Sequence, residues 1–244
     1  MIALLCSVPV EYELLRSALP GLRSLVLGSK PVFLGSLGGR DVALCAGGLG
    51  KANAAHAATL LLSRFNPAAL IVFGIGGAYP SSGARIGDIA LATEEIAGDD
   101  GVLTPEGFRD TEHIGIPLVR TGQVTLHNRF PASEMPLAGF YDSLAASGIN
   151  ARLIRGPFIT LSTCTGTTQR TQELERQFGN PLCENMEGAA AAQVAELHGV
   201  PWIEVRGISN IVEDRDLTTW EIPRAAAAAQ VAVELIVKHV KFER

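Results

Sequence analysis

Two stretches of the chain carry the side chains best suited to chemistry. Glu184-Asn185-Met186-Glu187-Gly188-Ala189-Ala190 sets a carboxylate at the mouth of a small-residue helix, and Trp202-Ile203-Glu204-Val205-Arg206-Gly207-Ile208-Ser209-Asn210 reads as a buried strand ending in a polar Ser-Asn pair. If both open onto one cleft, a carboxylate and an amide face the same ligand. That pairing suits a nucleoside, with Glu187 for the sugar hydroxyls and Asn210 for the base. A further carboxylate, Glu11, follows the first strand and Pro9, so it is expected to be exposed near a helix N-terminus. In parallel sheets such strand-to-helix turns point at the ligand.

Each of these residues also has a simpler reading. Acidic residues favour the first turn of a helix through the backbone dipole, so Glu184, Glu187 and Glu196 could all be solvated. Glu187, however, is flanked by Met186 and a Gly-Ala run, which suggests burial, and a buried carboxylate requires partners. Asn210 could simply cap the turn after its strand. Glu213-Asp214-Arg215-Asp216 reads as a solvated, internally paired charge cluster, or as a loop that folds over a ligand.

Glycine-rich turns stand at Gly47-Gly48-Leu49-Gly50-Lys51 and Gly74-Ile75-Gly76-Gly77. The first fails as a phosphate-binding P-loop, because Cys45 stands where glycine is needed and Ala52 where Ser or Thr is needed. The first strand runs into Ser7-Val8-Pro9-Val10-Glu11 without the dinucleotide fingerprint. Tight turning alone would account for the glycines. Several such turns at strand ends would also let backbone N–H groups approach a ligand.

The elements expected to position these groups alternate between strand and helix. Strands are expected over 2–7, 32–35, 41–46, 69–74, 86–92, 152–162 and 202–209. Helices are expected over 11–19, 52–65, 132–147, 168–178, 186–198 and 222–240. The segment 93–117 reads as a loop excursion over the surface. This order implies one α/β layer structure, a single domain over 1–244, with ligands at the carboxyl ends of the strands.

Composition bounds the function. The chain has 244 residues, 47% hydrophobic and 18% charged, which excludes a disordered segment. A net charge of −5 without a basic stripe argues against a nucleic-acid surface. Apolar runs stop short of the ~18 residues a membrane span needs, and Met1 to Val8 lacks the basic leader of a signal peptide, so a cytoplasmic protein is expected. Cys6, Cys45, Cys164 and Cys183 are widely separated, and the five histidines have no metal-ligand spacing, so structural thiols and no metal are expected.

The order of motifs resembles the nucleoside phosphorylase and nucleosidase superfamily over most of the chain. The matching residues are Glu11 after the first strand, Gly-Gly-Leu-Gly-Lys before an alanine helix, Gly-Ile-Gly-Gly, Ile86-Gly87-Asp88-Ile89, Asn185-Met186-Glu187-Gly188-Ala189 and Arg206-Gly207-Ile208-Ser209-Asn210. Within that superfamily the sequence is most similar to the futalosine hydrolases, notably in Ser209-Asn210-Ile211-Val212-Glu213-Asp214-Arg215-Asp216, and more distantly to the methylthioadenosine/S-adenosylhomocysteine nucleosidases. The resemblance implies a central mixed, partly barrel-like sheet flanked by helices. It also implies a homo-oligomer in which a neighbour's loop, here 104–108, helps close the site. It implies a purine nucleoside substrate, with no cofactor, no nucleic acid and no membrane partner.

By the same resemblance Glu11 activates water, Glu187 holds the ribose hydroxyls, and Met186 packs beneath the sugar. Gly76 and Ser209 complete the substrate-binding set, and Asn210 stabilises the departing base. Two departures matter. The methylthioadenosine nucleosidases have Asp where Asn210 stands; an amide can accept from a protonated N7–H while donating to a 6-oxo group, which suits hypoxanthine. Those enzymes also show Gly-Ser-Ala-Gly-Gly where this chain has Gly74-Ile75-Gly76-Gly77, so a hydroxyl contact is lost. The expected reaction is hydrolysis of the N-glycosidic bond of futalosine, on the menaquinone pathway. A phosphorylase, a methylthioadenosine-type nucleosidase and a non-catalytic nucleoside sensor are the rivals. For the 5′ substituent, Arg85, Arg109, Thr165 and Thr167 are candidates.

Overall fold

A computed structural model describes residues 1–122, 124–134 and 140–239. Its strands are β1 (Ile2–Cys6), β2 (Arg23–Leu27), β3 (Lys30–Leu37), β4 (Arg40–Ala46), β5 (Leu70–Ala78), β6 (Ile89–Ala97), β7 (Gly101–Thr104), β8 (Gly107–Asp110), β9 (Val119–Thr121), β10 (Val124–Leu126), β11 (Arg129–Pro131), β12 (Leu153–Thr160), β13 (Cys183–Asn185) and β14 (Trp202–Ile211). The helices are α1 (Glu13–Ser17), α2 (Lys51–Phe65), α3 (Thr111–Ile114), α4 (Phe140–Ala146), α5 (Thr168–Phe178), α6 (Gly188–His198) and α7 (Ile222–His239).

Ten strands form one mixed sheet in the order β11-β6-β12-β13-β5-β1-β4-β3-β2, with β14 joined to both β5 and β6. That double pairing closes a ring. β5 pairs with β13, β13 with β12, β12 with β6, β6 with β14, and β14 returns to β5. The remaining strands extend from the ring as an open sheet. The architecture is therefore the expected single α/β domain with a mixed, partly closed sheet.

The central strands are covered on both faces, which explains why they read as continuous apolar runs rather than alternating ones. Leu4, Ile71, Phe73 and Val205 pack with Ala228, Ala232, Val233 and Ile236 of α7. Ala3, Leu5, Leu70 and Val72 share a second cluster with Ala57, Ala58 and Leu61 of α2 and Ala191, Ala192 and Ala195 of α6. Full burial of each Leu, Ile or Phe contributes about 1.5–3 kcal/mol. The alanines of α2 and α6 let those two helices lie close together beneath the same sheet face.

Several boundaries differ from expectation, and the site lies where they differ. β5 continues to Ala78, so Gly74-Ile75-Gly76-Gly77 is strand and not a turn. Pairing with β14 on one side and β13 on the other holds it extended. β14 likewise continues to Ile211, so Asn210 belongs to the strand instead of capping a turn after it. Residues 9–11 form a one-turn 3-10 helix and α1 begins only at Glu13, so Glu11 lies ahead of the α-helix; it is also buried, not exposed. The 93–117 segment is not simple loop, since it holds the end of β6, the β7–β8 hairpin and α3. Of the helix expected over 132–147, Phe140–Ala146 is helical and 135–139 lie outside the described residues, as does Val240 at the end of α7. No helix among the described residues is long and apolar enough to cross a membrane.

The turn bearing Glu11 is fastened from the far end of the chain. Gln230 of α7 is buried; its Oε1 accepts from the N–H groups of Leu14 and Leu15 at 2.9 and 3.1 Å, and its Nε2 donates to the Val10 carbonyl at 3.1 Å. These bonds satisfy the orphan amides that a one-turn helix cannot pair itself. Gln230→Leu keeps the apolar packing but strands those groups. It is expected to lower stability by about 1–3 kcal/mol, read as a lower urea midpoint at unchanged m-value.

Candidate active site

One cleft, enclosing about 680 Å³ out to its open mouth, gathers all six of the expected site residues: Glu11, Gly76, Met186, Glu187, Ser209 and Asn210. They arrive from the carboxyl ends of β1, β5 and β14 and from the start of α6, where ligand sites of α/β sheets lie.

Glu11 is only 3% exposed. Its Oε2 accepts from the backbone N–H of Ser7 at 2.8 Å and of Val8 at 3.1 Å, and its Oε1 accepts from Ile75 N–H at 2.9 Å. Gly74 is required here, because a Cβ at that position would collide with the Glu11 carboxylate. Burial raises the Glu11 pKa above the ordinary glutamate value, against the opposing pull of Arg206 and of these three amides. The group is thus a fixed carboxylate with enhanced affinity for a proton.

Glu187 faces it across the cleft. Its Oε1 accepts from Gly50 N–H at 2.9 Å, at the N-terminus of α2, where the helix dipole favours negative charge. The start of α6 is pinned by side chains: Asn185 Oδ1 accepts from the N–H groups of Glu187 and Gly188 at 2.9 and 2.7 Å, and Thr160 Oγ1 accepts from Ala189 N–H at 2.8 Å. Glu184 and Glu187 are both buried, and Glu196 accepts from the Trp202 indole N–H at 2.9 Å, so none is simply solvated.

Arg206, absent from the expected site set, is the cation on which these carboxylates depend. It is 1% exposed. Its Nε donates to Glu204 Oε1 at 2.7 Å, its Nη1 donates to the Ile75 carbonyl at 3.1 Å, and Nη1 also lies 3.5 Å from Glu187 Oε2. Burial alone would weaken its charge, but Glu204, Glu187 and Glu11 outweigh that and raise its pKa. A period-two reading of β14 would have placed Glu204 and Arg206 on one face of the strand. The strand was expected to be buried, but no local pattern says which partners its two charges meet.

Behind Arg206 lies a second acid. Burial, and then the neighbouring Glu204, raise the pKa of Glu95, which favours its protonated form. Glu95 also accepts from Thr160 Oγ1 at 2.8 Å and Asn185 Nδ2 at 2.5 Å. Gly188 makes room for the pair, since a Cβ there would strike both carboxyl groups.

The far wall is amide and hydroxyl. Between β14 and β5 the register shifts so that Ile208 opposes Gly76 and Asn210 opposes Gly77, leaving Ser209 as the extra residue of a bulge. In a regular strand two successive side chains point to opposite faces; the bulge lets Ser209 and Asn210 both line the cleft. Ser209 Oγ lies 2.8 Å from Asn210 Oδ1, and Asn210 Nδ2 donates to the Ile211 carbonyl at 3.1 Å. The amide keeps one oxygen lone pair and one N–H proton for a ligand. Beside it, Glu184 accepts from Thr165 N–H at 2.8 Å and from the Tyr79 hydroxyl at 3.0 Å, and also binds the Thr165 hydroxyl. Burial raises the Glu184 pKa as well.

Of the residues considered for a 5′ substituent, Thr165 lines the cleft, whereas Arg85, Arg109 and Thr167 do not; Arg215 and Trp220, not considered for it, do. None of residues 101–110 lines it either. The 213–216 cluster is not internally paired: Asp214 accepts from Thr168 N–H and Asp216 from Thr218 N–H, while Arg215 lies against Trp220. The thiols of Cys6, Cys45 and Cys183 are buried, and Cys164 touches Met186, Sγ to Sδ, at 3.3 Å. Among the described residues no cluster of His, Cys, Asp and Glu is arranged to hold a metal ion.

Removing one partner from such a network leaves a buried charge uncompensated. Arg206→Met is expected to destabilise the protein by about 3–5 kcal/mol. Adding Glu204→Gln to Arg206→Met should recover part of that loss. A double-mutant cycle by urea denaturation measures the coupling.

The Phosphorylase superfamily model matches residues 1–240. A 5′-methylthioadenosine/S-adenosylhomocysteine nucleosidase from Halalkalibacterium halodurans is 30% identical over 212 residues, covering 86% of this chain and 85% of that one. Among solved structures, the Neisseria meningitidis 5′-methylthioadenosine/S-adenosylhomocysteine nucleosidase in complex with methylthio-immucillin-A superposes with a TM-score of 0.82 at 23% identity, covering 97% and 98% of the two chains. A mutant of Helicobacter pylori futalosine hydrolase gives 0.78 at 18% identity, covering 97% of each. At those identities the two structures speak for the fold alone. With the family match spanning nearly the whole chain and the curated relative beside it, the chain belongs to the phosphorylase superfamily, as an N-glycosyl hydrolase of its nucleosidase branch.

Proposed function

We propose that this nucleosidase cleaves the N-glycosidic bond of futalosine, releasing hypoxanthine and dehypoxanthine futalosine. The observation that carries the reading is Asn210, held in the β14 bulge with one acceptor and one donor position left over. A 6-oxopurine leaving with a proton on N7 offers the complementary donor and acceptor. Against a 6-aminopurine the Asn210 NH₂ would face another donor, and an unpaired buried group of that kind costs about 1–3 kcal/mol.

The rest of the chemistry follows from the carboxylates. Glu187 accepts from the sugar hydroxyls and supplies negative charge as the ring gains oxocarbenium character. As the bond to the base breaks, its electron pair leaves with the purine, whose N7 takes a proton from solvent water, since the Asn210 amide holds that N7–H but has no acidic proton to transfer. Water attacks the anomeric carbon and gives its proton to Glu11, whose raised pKa suits a general base. Phosphate in place of water is disfavoured because Glu11 and Glu187 occupy the approach, Arg206 is already engaged by carboxylates, Arg16 pairs with Glu13, Lys51 pairs with Asp99 and Asp100, and the remaining cleft cation, Arg215, is an exposed residue of the lining rather than a partner of these carboxylates.

The second reading is a methylthioadenosine/S-adenosylhomocysteine nucleosidase, favoured by the activity named for the Halalkalibacterium halodurans relative. Product analysis after incubation with futalosine, aminofutalosine, inosine and methylthioadenosine, with and without phosphate, separates the two. Hypoxanthine from futalosine alone, independent of phosphate, is the expected result. Adenine from methylthioadenosine would overturn the Asn210 reading, and binding without turnover would indicate a sensor.

Glu11→Gln should lower kcat by about 10²–10⁴-fold while the protein stays folded. In the native enzyme activity requires ionised Glu11. Because its pKa is raised, kcat/KM should fall as the pH drops, through a midpoint above the ordinary glutamate value of 4.5. A pH–rate profile checks this, and a midpoint at or below that value would remove Glu11 from the role.

A further inference from the structure

The cleft holds two arginines, and they are in opposite situations. Arg206 is buried and engaged by Glu204 and Glu187. Arg215 is exposed at the mouth and takes part in no ion pair among the described residues. Its acidic neighbours are turned to other work, since Asp214 accepts from Thr168 N–H and Asp216 from the N–H and hydroxyl of Thr218. The guanidinium instead lies 4.7 Å from the centroid of the Trp220 ring, beside the Cys164 thiol. Stacking on an aromatic face holds the planar fork in place and lowers the rotamer freedom lost when it binds an anion.

If the sugar hydroxyls lie on Glu187 and the base on Asn210, the exocyclic arm of the sugar is left to run toward the open side. There the lining is Leu49, 60% exposed, with Cys164, Trp220 and Arg215. That surface is apolar along the arm and cationic at one point. It matches a hydrophobic arm that carries an anion. We propose that Arg215, braced by Trp220, is the specificity-determining residue that reads a carboxylate on the 5′ arm of the nucleoside. The inference rests on the nucleosidase reading of the same site, and it separates this cleft from one built for a short neutral 5′ group.

Charge-assisted contacts from a guanidinium fork to a carboxylate are strong, but solvent exposure weakens them. The expected preference is therefore on the order of tenfold at low salt, shrinking as salt is added. The test crosses two bases, 6-oxo and 6-amino, with two arms, an aryl carboxylate and its methyl ester: futalosine, aminofutalosine and the ester of each. With whichever base is turned over, native protein should favour the acid over the ester in kcat/KM by roughly that factor. Arg215→Gln should bring the ratio toward one, and Arg215→Lys should leave an intermediate ratio.

Equal rates for acid and ester in the native protein would overturn the proposal, as would an unchanged ratio in Arg215→Gln. Base preference is read along the other axis, so a failure of the Asn210 reading appears as 6-amino selectivity while the arm ratio is still measured. Should no compound be cleaved, calorimetric binding of the same four gives the acid-to-ester ratio as a ratio of Kd values, and equal Kd values would overturn the proposal in the same way.

Discussion

A single buried guanidinium organises this molecule's interior charge. Arg206 sits among Glu204, Glu187 and Glu11 on strands covered by helices on both faces, where an unpaired ion would be costly. Glu11 and Glu187 can be buried because that cation is there, and the cation can be buried because Glu204 anchors it from behind. The raised pKa of Glu95, set by its burial and by Glu204, limits the negative charge that this added acid brings. Balanced in this way, the cleft presents oriented carboxylates to a ligand without the floppiness of solvated side chains.

The sheet supplies the geometry for this arrangement. β14 is shared between β5 and β6, so the ring is closed at the strand that carries Glu204, Arg206, Ser209 and Asn210. Strand periodicity keeps the ion pair on one face. One extra residue then changes the phase, so that a hydroxyl and an amide enter the same cleft three and four residues after a guanidinium.

Much of this was legible in the residue order. Apolar runs marked β1, β5 and β14, the alanine helices fell within a residue or two of their observed limits, and the six residues expected at the site do meet in one cleft. What escaped has physical causes. Arg206, Glu204 and Glu95 escaped because only their contacts with one another and with Glu187 make burial tolerable, and nothing in the residue order points to those contacts. β13 is three residues long and owes its existence to partners on either side, which no local pattern announces. The glycine run in β5 mimicked a turn, since glycine permits both a turn and a crowded strand beside a carboxylate.

Gln230 links the two ends of the described chain, joining α7 to the turn between β1 and α1 across more than two hundred residues of sequence. During synthesis the segment bearing Glu11 leaves the ribosome more than two hundred residues ahead of the amide that fixes it. Contacts this distant in sequence form late and slowly. A nascent chain therefore carries all the cleft carboxylates before it has an ordered cleft, and hydrolytic competence should arrive with the docking of α7 rather than build up gradually along the chain.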